Sequence, residues 1–159
     1  MSSERQLYEQ VILDHNKTPR NFEELEDATA VAEGYNPLCG DRFKVFLKTK
    51  DGKIEKCTFQ GAGCAISKSS ASVMTTILQG KTLEEARQLF TDFKGMLTSD
   101  TEAPLDKDKL GKLMVFSGVR EFPVRIKCAN LAWHTMLSAL DGEAKVTTEK
   151  SAEWASGRY

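Results

Sequence analysis

The hydrophobic pattern between residues 41 and 78 changes its period once, at Gly61-Ala62-Gly63-Cys64. Before this point, apolar side chains alternate along two runs that are separated by Lys50-Asp51-Gly52, which is typical of a β-hairpin. After it, apolar residues recur at helical spacing until Gly80. The pattern therefore predicts a hairpin that leads directly into a helix, with Cys64 at the turn between them.

Two further segments have recognisable local signals. Helical spacing predicts an N-terminal helix over about residues 4–16, and a weak alternation predicts a short edge strand near residues 28–34. Thr82 and Glu85 have the spacing of a capping box, which predicts the start of another helix. Residues 95–112 are polar and loop-like, so we expect an insertion between the core helices there.

A last helix is predicted to begin at Pro123, because the missing N–H of proline costs nothing in a first turn. The helix ends at Asp141-Gly142, and its apolar set comprises Val124, Cys128, Leu131, Ala132, Trp133, Met136, Leu137 and Leu140. Residues 142–159 have little to bury, although Trp154 could dock. We therefore predict a single domain over residues 1–141, followed by a flexible tail over residues 142–159.

Composition limits the class of protein. The chain has 159 residues, of which 40% are hydrophobic, which fits one globular domain. Its net charge of −1 offers no electrostatic attraction for nucleic acid or an anionic membrane. The sequence contains neither a secretory signal nor an apolar run of membrane-spanning length. We expect a cytoplasmic monomer whose partners are proteins or small molecules.

The four cysteines differ in their predicted positions. In a reducing compartment they are more suited to metal binding or reactivity than to disulfides. Cys57 lies in the second arm of the hairpin on the same face as Phe59, which predicts a buried small hydrophobic residue. Cys39, Cys64 and Cys128 instead lie at element boundaries or early in a helix, where side chains from different elements can converge.

Asp41 follows Cys39 after a single glycine, and it adds a carboxylate to the three remaining thiols. Three thiolates and one carboxylate form a suitable tetrahedral ligand set for zinc. Gly40 allows the backbone to turn so that both neighbours can reach one ion. Helix N-termini would favour the thiolate form of Cys64 and Cys128. The spacing thus predicts a zinc site, with moderate specificity for this metal.

Such a ligand set leaves about two negative charges around a divalent ion, so a nearby cation is favourable. Arg125 lies one helical turn before Cys128 and can face the same side, although an ordinary solvated arginine is an equal alternative. His15 and His134 have no motif spacing and are expected to be ordinary partly buried residues. A catalytic triad cannot be assigned from sequence, because its members need only be close in space.

Four separated motifs resemble the SufU branch of the IscU/NifU-type iron–sulfur assembly proteins. They are L-Y-E-Q-V-I-L-D-H-N-K-T-P-R-N at residues 7–21, N-P-L-C-G-D at 36–41, G-A-G-C-A-I-S-K-S-S-A-S at 61–72 and F-P-V-R-I-K-C-A-N-L-A-W at 122–133. The resemblance covers most of the chain up to about residue 140. Four motifs in the same order are far more specific than any one of them.

The resemblance implies an α+β fold of the SufE/NifU type, in which a small antiparallel sheet of about three strands is covered by several helices. It implies that Cys39, Asp41, Cys64 and Cys128 are the metal ligands. A histidine precedes the last cysteine in scaffold members of the wider family, whereas this chain has Lys127 there. The polar segment near residues 95–112 also distinguishes the SufU branch from the shorter scaffolds.

The function implied by this resemblance is that of a zinc-dependent sulfur carrier. Cys39 would accept persulfide sulfur from a SufS-type cysteine desulfurase, and the sulfur would pass to a SufBCD-type assembly complex. Arg125 would support the site and the exchange with the desulfurase. Because a zinc-bound thiolate is a damped nucleophile, the hypothesis requires that Cys39 be released while Asp41, Cys64 and Cys128 retain the metal.

Two alternatives remain open at this stage. The same thiolates could bind iron and build a [2Fe–2S] cluster for transfer, which would make the protein a scaffold. Lys127 and the insertion count against that alternative. The protein could also be a structural zinc module that only binds a partner, in which case sulfur transfer would not be one of its properties.

Overall fold

The computed structural model describes residues 3–147 of the chain. Within this range, no helix has the length and apolar character needed to cross a lipid bilayer. The secondary structure elements in chain order are α1 (Ser3–Lys17), β1 (Ala30–Asn36), β2 (Asp41–Lys50), β3 (Lys53–Ala62), α2 (Ala65–Leu78), α3 (Leu83–Leu97), α4 (Lys107–Leu110), a 3₁₀-helix (Gly111–Glu121), α5 (Pro123–Leu140) and β4 (Lys145–Thr147).

The strands form one sheet in the order β3-β2-β1-β4. The three longer strands pair in antiparallel fashion, and β4 pairs in parallel with β1. The α+β fold class and the three antiparallel strands are therefore confirmed. The strand expected near residues 28–34 is β1, Ala30–Asn36. It is not at the edge of the sheet as expected, because β4 pairs with its outer side.

The β2–β3 hairpin provides the sheet's contribution to the core. Its turn consists of Asp51 and Gly52, whose φ angles of 53° and 76° give the two-residue geometry that matches strand twist. Phe43, Val45 and Leu47 are fully buried on one face of β2, as their alternation predicts. Helices α2 and α5 pack against the sheet and cover this face.

Helices α2 and α3 follow the predicted boundaries. Helix α2 begins immediately after Cys64 and ends before Gly80, which has a φ of 88°. Helix α3 begins after Thr82, whose side chain accepts the N–H of Glu85, while the Glu85 carboxylate accepts the N–H of Thr82. The predicted capping box is therefore confirmed.

The description of residues 95–112 as a polar loop is wrong. Helix α3 continues to Leu97, and α4 and the 3₁₀-helix follow after a short connection. The reason is that isolated apolar side chains anchor this polar sequence, since Leu97 and Leu113 are fully buried and Leu110 is nearly so. That the segment is an insertion relative to shorter scaffolds stays a prediction.

Helix α5 begins at Pro123 as predicted, and it extends to Leu140. Val124 does not belong to its buried face, because its side chain in the first turn is 58% exposed. Beyond the helix, Lys145–Thr147 form β4, which pairs with β1, and the flexible tail over residues 142–159 stays a prediction. Trp154 and the rest of the tail lie outside the described residues.

Candidate metal centre

The turn between β1 and β2 holds Cys39 at the surface. Asn36 and Asp41 are the last paired residues of the two strands, and the backbone oxygen of Asn36 accepts the N–H groups of Cys39 at 3.3 Å and Gly40 at 2.8 Å. Gly40 has a φ of 74°, a conformation that favours glycine. The turn therefore exposes Cys39 while the chain re-enters the sheet at Asp41.

Asp41 is fully buried, and hydrogen bonds satisfy its carboxylate from two sides. One oxygen, Oδ1, accepts the N–H of Cys64 at 2.9 Å, and the other, Oδ2, accepts the Asn36 amide at 3.4 Å. A Cβ atom at Gly63 would lie 2.7 Å from Oδ1 of Asp41 and 2.5 Å from Oγ of Ser67. Because Gly63 has no side chain, the Asp41 carboxylate has room to reach the N-terminus of α2.

Cys64 is the N-cap of α2, as its position in the sequence predicts. Its sulfur accepts the N–H of Ser67 at 3.5 Å and lies 3.5 Å from the Ser67 hydroxyl. The hydrogen bond with the Cys128 thiol is the main cause that lowers the pKa of Cys64 to about 5, and the two contacts with Ser67 add to it. These contacts favour the thiolate form of Cys64, which is the form that binds a metal.

Cys128 lies in the second turn of α5 and is fully buried. Its sulfur is 3.4 Å from that of Cys39, and it accepts the Asn36 amide at 3.6 Å. The expectation that the helix N-terminus favours a Cys128 thiolate stays a prediction, and other contacts act in the opposite direction. The hydrogen bond with Cys64 raises the pKa of Cys128, and burial and the hydrogen bond to Cys39 raise it further.

The structure brings the ligand atoms of three predicted ligands together at one end of the sheet. The ligand atoms of Cys39, Asp41 and Cys128 all lie within 4.8 Å of one another. Cys64 is not part of this group, although its N–H bonds to the Asp41 carboxylate, and its role as a ligand stays a prediction. Ligand atoms around a tetrahedral zinc ion lie about 3.3 to 3.8 Å apart. Two thiolate sulfur atoms lie near the upper end of this range, and the Cys39 and Cys128 sulfur atoms, which are 3.4 Å apart, lie slightly closer together. Thiolates and a carboxylate are donors that zinc accepts, so the donor set fits zinc.

The remaining candidate residues lie elsewhere. Arg125 is exposed and lines a surface groove of about 610 Å³ between α1 and the 3₁₀-helix. His15 hydrogen-bonds to Ser72 at 2.7 Å, and His134 is buried with its ring edge-on to an aromatic side chain. Cys57 is fully buried, as predicted, and burial raises its pKa to about 12. A role of Arg125 at the metal centre stays a prediction.

Sequence reasoning missed two residues that contact the ligands. Asn36 is fully buried and contacts both Asp41 and Cys128, and Ser67 is buried beside Cys64. The pair Asn36-Pro37 is a turn signal, but it does not indicate that the asparagine amide faces a thiol 92 positions away. Ser67 could have been found, because it occupies the third helical position after a capping residue.

Comparison with known proteins agrees with this geometry. The profile of the family described as NifU-like N terminal domain matches residues 7–129. The zinc-dependent sulfurtransferase SufU of Bacillus subtilis (strain 168) is 41% identical over 130 residues, which are 82% of this chain and 86% of that protein. The iron-sulfur cluster assembly scaffold protein IscU of Streptococcus pyogenes serotype M1 is 39% identical over 144 residues, which cover 91% and 89%.

A solved structure supports the same assignment. The crystal structure of FiSufU from the thermophile Fervidobacterium islandicum AW-1 superposes with a TM-score of 0.77 at 33% sequence identity, and the match covers 87% of this chain and 99% of that one. The family match spans most of the described residues and includes Cys39, Asp41, Cys64 and Cys128. The chain therefore belongs to the family of NifU-like N-terminal domains, as its four sequence motifs indicate.

Proposed function

We propose that this protein is a zinc-dependent sulfur acceptor in iron–sulfur cluster assembly, and that Cys39 receives persulfide sulfur from a cysteine desulfurase. The observation that carries the proposal is the asymmetry of the cysteine cluster. Cys39 is exposed at the tip of a turn, whereas Cys64 is partly buried and Cys128 is fully buried. Cys39 is the most exposed of these three thiols and is therefore the one most open to a persulfide on another protein.

Cys39, Asp41, Cys64 and Cys128 would hold the zinc ion. When bound, zinc keeps thiolates deprotonated near neutral pH and supplies no redox chemistry of its own. Asp41 is already preorganised as a carboxylate acceptor by the Cys64 N–H and the Asn36 amide. The hydrogen bonds around the buried ligands keep their side chains in place while Cys39 reacts at the surface.

The sulfur transfer itself requires one displacement. The Cys39 thiolate attacks the outer sulfur of the desulfurase persulfide, a new S–S bond forms on Cys39, and the S–S bond on the desulfurase breaks. The desulfurase cysteine leaves as a thiolate, so electrons and protons balance without an added oxidant. The product is a Cys39 persulfide at the exposed turn, where a downstream acceptor thiol can reach it.

The partners of this reaction follow from the same proposal. A SufS-type desulfurase would be the donor, and a SufBCD-type complex would receive the sulfur in the cytoplasm, where free thiols stay reduced. The 41% identity to a protein named zinc-dependent sulfurtransferase supports this assignment. Arg125, exposed on the helix that carries Cys128, is available to contact the desulfurase during the exchange.

Substitution of Cys39 tests the proposal. Zinc-loaded wild type, Cys39→Ser and the core control Cys57→Ala are each mixed with desulfurase and cysteine, and the added sulfur is located by mass spectrometry. We expect wild type and Cys57→Ala to gain one sulfur atom on Cys39 and Cys39→Ser to gain none. Equal sulfur acceptance and equal desulfurase stimulation by Cys39→Ser would contradict the proposal.

A scaffold for a [2Fe–2S] cluster is the second candidate, because a relative with that name is 39% identical over 91% of the chain. The two functions differ in the purified protein. A colourless protein with one zinc ion supports the sulfur acceptor, whereas bound iron and sulfide with a visible charge-transfer spectrum support the scaffold. A structural zinc module predicts a third result, in which Cys39→Ala impairs folding and no variant accepts sulfur.

A further inference from the structure

We propose that Asn36 is a positioning residue that holds Asp41 and Cys128 in place and confines sulfur reactivity to Cys39. This inference rests on the proposed function and names a residue that controls the same site. Asn36 ends β1, on the opposite side of the turn from Asp41, and its side chain is fully buried. An uncharged amide in this position touches two ligands that come from different parts of the chain.

The two donor hydrogens of the Asn36 amide have separate acceptors. Nδ2 lies 3.4 Å from Oδ2 of Asp41 and 3.6 Å from Sγ of Cys128. A buried carboxylate and a buried thiolate are costly without hydrogen-bond donors, so both ligands gain from the same group. The amide thereby connects the sheet end to α5 across the metal centre.

The two oxygen atoms of Asn36 accept hydrogen bonds from the turn instead. Oδ1 accepts the N–H of Leu38 at 3.2 Å, and the backbone oxygen accepts the N–H groups of Cys39 and Gly40. These bonds define the exposed loop that carries the acceptor cysteine. One residue therefore contacts the reactive loop through its oxygen atoms and the retained ligands through its nitrogen.

This division has a chemical consequence. A hydrogen bond donated to a buried sulfur must be broken before that sulfur can attack another group, and burial keeps reagents away from it. Cys128 receives such a bond and is buried, whereas Cys39 is exposed. The asparagine thus holds Cys128 in place and makes it less reactive than the exposed Cys39.

Two substitutions remove the amide donor. Asn36→Asp keeps an oxygen that can accept the Leu38 N–H but removes the amide donor, and Asn36→Ala removes both. Asn21→Ala is the matched control, because Asn21 is a half-buried asparagine with a φ of 54° that hydrogen-bonds to Thr75 away from the site. This control is expected to lower stability without altering the ligand contacts.

Two quantities are measured on each variant. The first is the dissociation constant for zinc alone, obtained by competition with a chelator. The second is the rate of iodoacetamide modification of each cysteine in zinc-loaded protein, resolved by peptide mass spectrometry. Cys57 is the internal reporter of unfolding, because it is fully buried in the sheet and its thiol is exposed only when the core opens.

We expect both Asn36 variants to bind zinc about 10- to 100-fold more weakly than wild type. We also expect the ratio of Cys128 to Cys39 modification to rise about tenfold, while Cys57 stays unmodified. Asn21→Ala should keep the wild-type ratio. A purely structural role of Asn36 would raise Cys57 and Cys128 modification together, or would give the same change in Asn21→Ala, and either result would overturn the inference.

The outcome in wild type separates this inference from the proposed function. Wild type that binds no zinc or accepts no sulfur on Cys39 would contradict the proposed function, and the role of Asn36 would fall with it. A different result would contradict only the role of Asn36. In that case wild type binds zinc and accepts sulfur on Cys39, while the Asn36 variants keep the wild-type zinc affinity and modification ratio.

Discussion

The same side chain has different acid–base properties at different positions in this chain. Hydrogen bonds lower the pKa of Cys64 to about 5, whereas burial raises the pKa of Cys57 to about 12. The first cysteine caps a helix beside other polar groups, and the second lies between apolar side chains of the sheet. Local contacts, rather than residue type, therefore determine which thiols are available for chemistry.

The buried Cys57 thiol should make the protein less stable in alkali. Its pKa lies near 12 in the folded protein and near 9 in the unfolded chain, so the unfolded chain loses its proton first as the pH rises. The contribution is fully present below pH 9 and is lost between pH 9 and 12. We expect the stability advantage of wild type over Cys57→Ala to shrink by about 2 kcal/mol between pH 7 and 10.5.

Urea unfolding of the two proteins under reducing conditions measures this difference at each pH. Lysine and tyrosine titration affects both proteins equally and cancels in the comparison. A constant gap between wild type and Cys57→Ala over this pH range would show that the Cys57 thiol is not held in its neutral form by burial.

The sequence predicts where the site residues lie in the secondary structure better than it predicts which side chains they contact. Element boundaries in the sequence place Cys64 at a helix start and Cys128 in a second turn, and both placements are confirmed. The raised pKa of Cys128 was missed, because it arises from Cys64 and Cys39, which other elements bring close. Asn36 was missed for the same reason, since its amide donates across 92 positions.

At the scale of elements, local signals predict boundaries well where a cap or turn residue is present. The β2–β3 turn and the start of α3 both follow from two or three residues with special geometry. The segment from residue 95 to 121 lacks a regular apolar period, so its α4 and 3₁₀-helix could not be predicted. These short helices depend on the burial of single side chains such as Leu110 and Leu113.

The capping box of α3 allows a test of one such local signal. Thr82 satisfies the N–H of Glu85, and Glu85 satisfies the N–H of Thr82. Because Thr82→Ala leaves the first of these donors unpaired, we expect a loss of about 1 kcal/mol in the free energy of unfolding. Zinc affinity should not change, since α3 contributes none of the proposed ligands.

Thr91→Ala is the control for this substitution. Thr91 is exposed in the same helix, and its hydroxyl only bonds back to the carbonyl of Arg87. Alanine has the higher helix propensity, so this control should be neutral or slightly stabilising. Equal destabilisation by the two substitutions in urea unfolding would argue against the cap as the source of the effect.

At the scale of the whole molecule, folding assembles the candidate metal centre from four chain segments. Cys39 comes from the β1–β2 turn, Asp41 from the start of β2, Cys64 from the start of α2 and Cys128 from α5. The unfolded chain does not hold these ligands together, because 89 positions separate Cys39 from Cys128. Metal binding should therefore favour the folded state.

Zinc should accordingly raise the thermal stability of the whole domain. At a free zinc concentration of about 100 times the dissociation constant, the gain is about 2.7 kcal/mol, which corresponds to about 5 to 10 °C in Tm for a protein of this size. Cys128→Ser removes a proposed buried ligand and should abolish most of this increase. Cys57→Ala should begin from a lower Tm and retain the full increase, because Cys57 contacts the core rather than the centre. Calorimetry with zinc and with a chelator measures both shifts, and an undiminished zinc effect in Cys128→Ser would mean that the ion binds elsewhere.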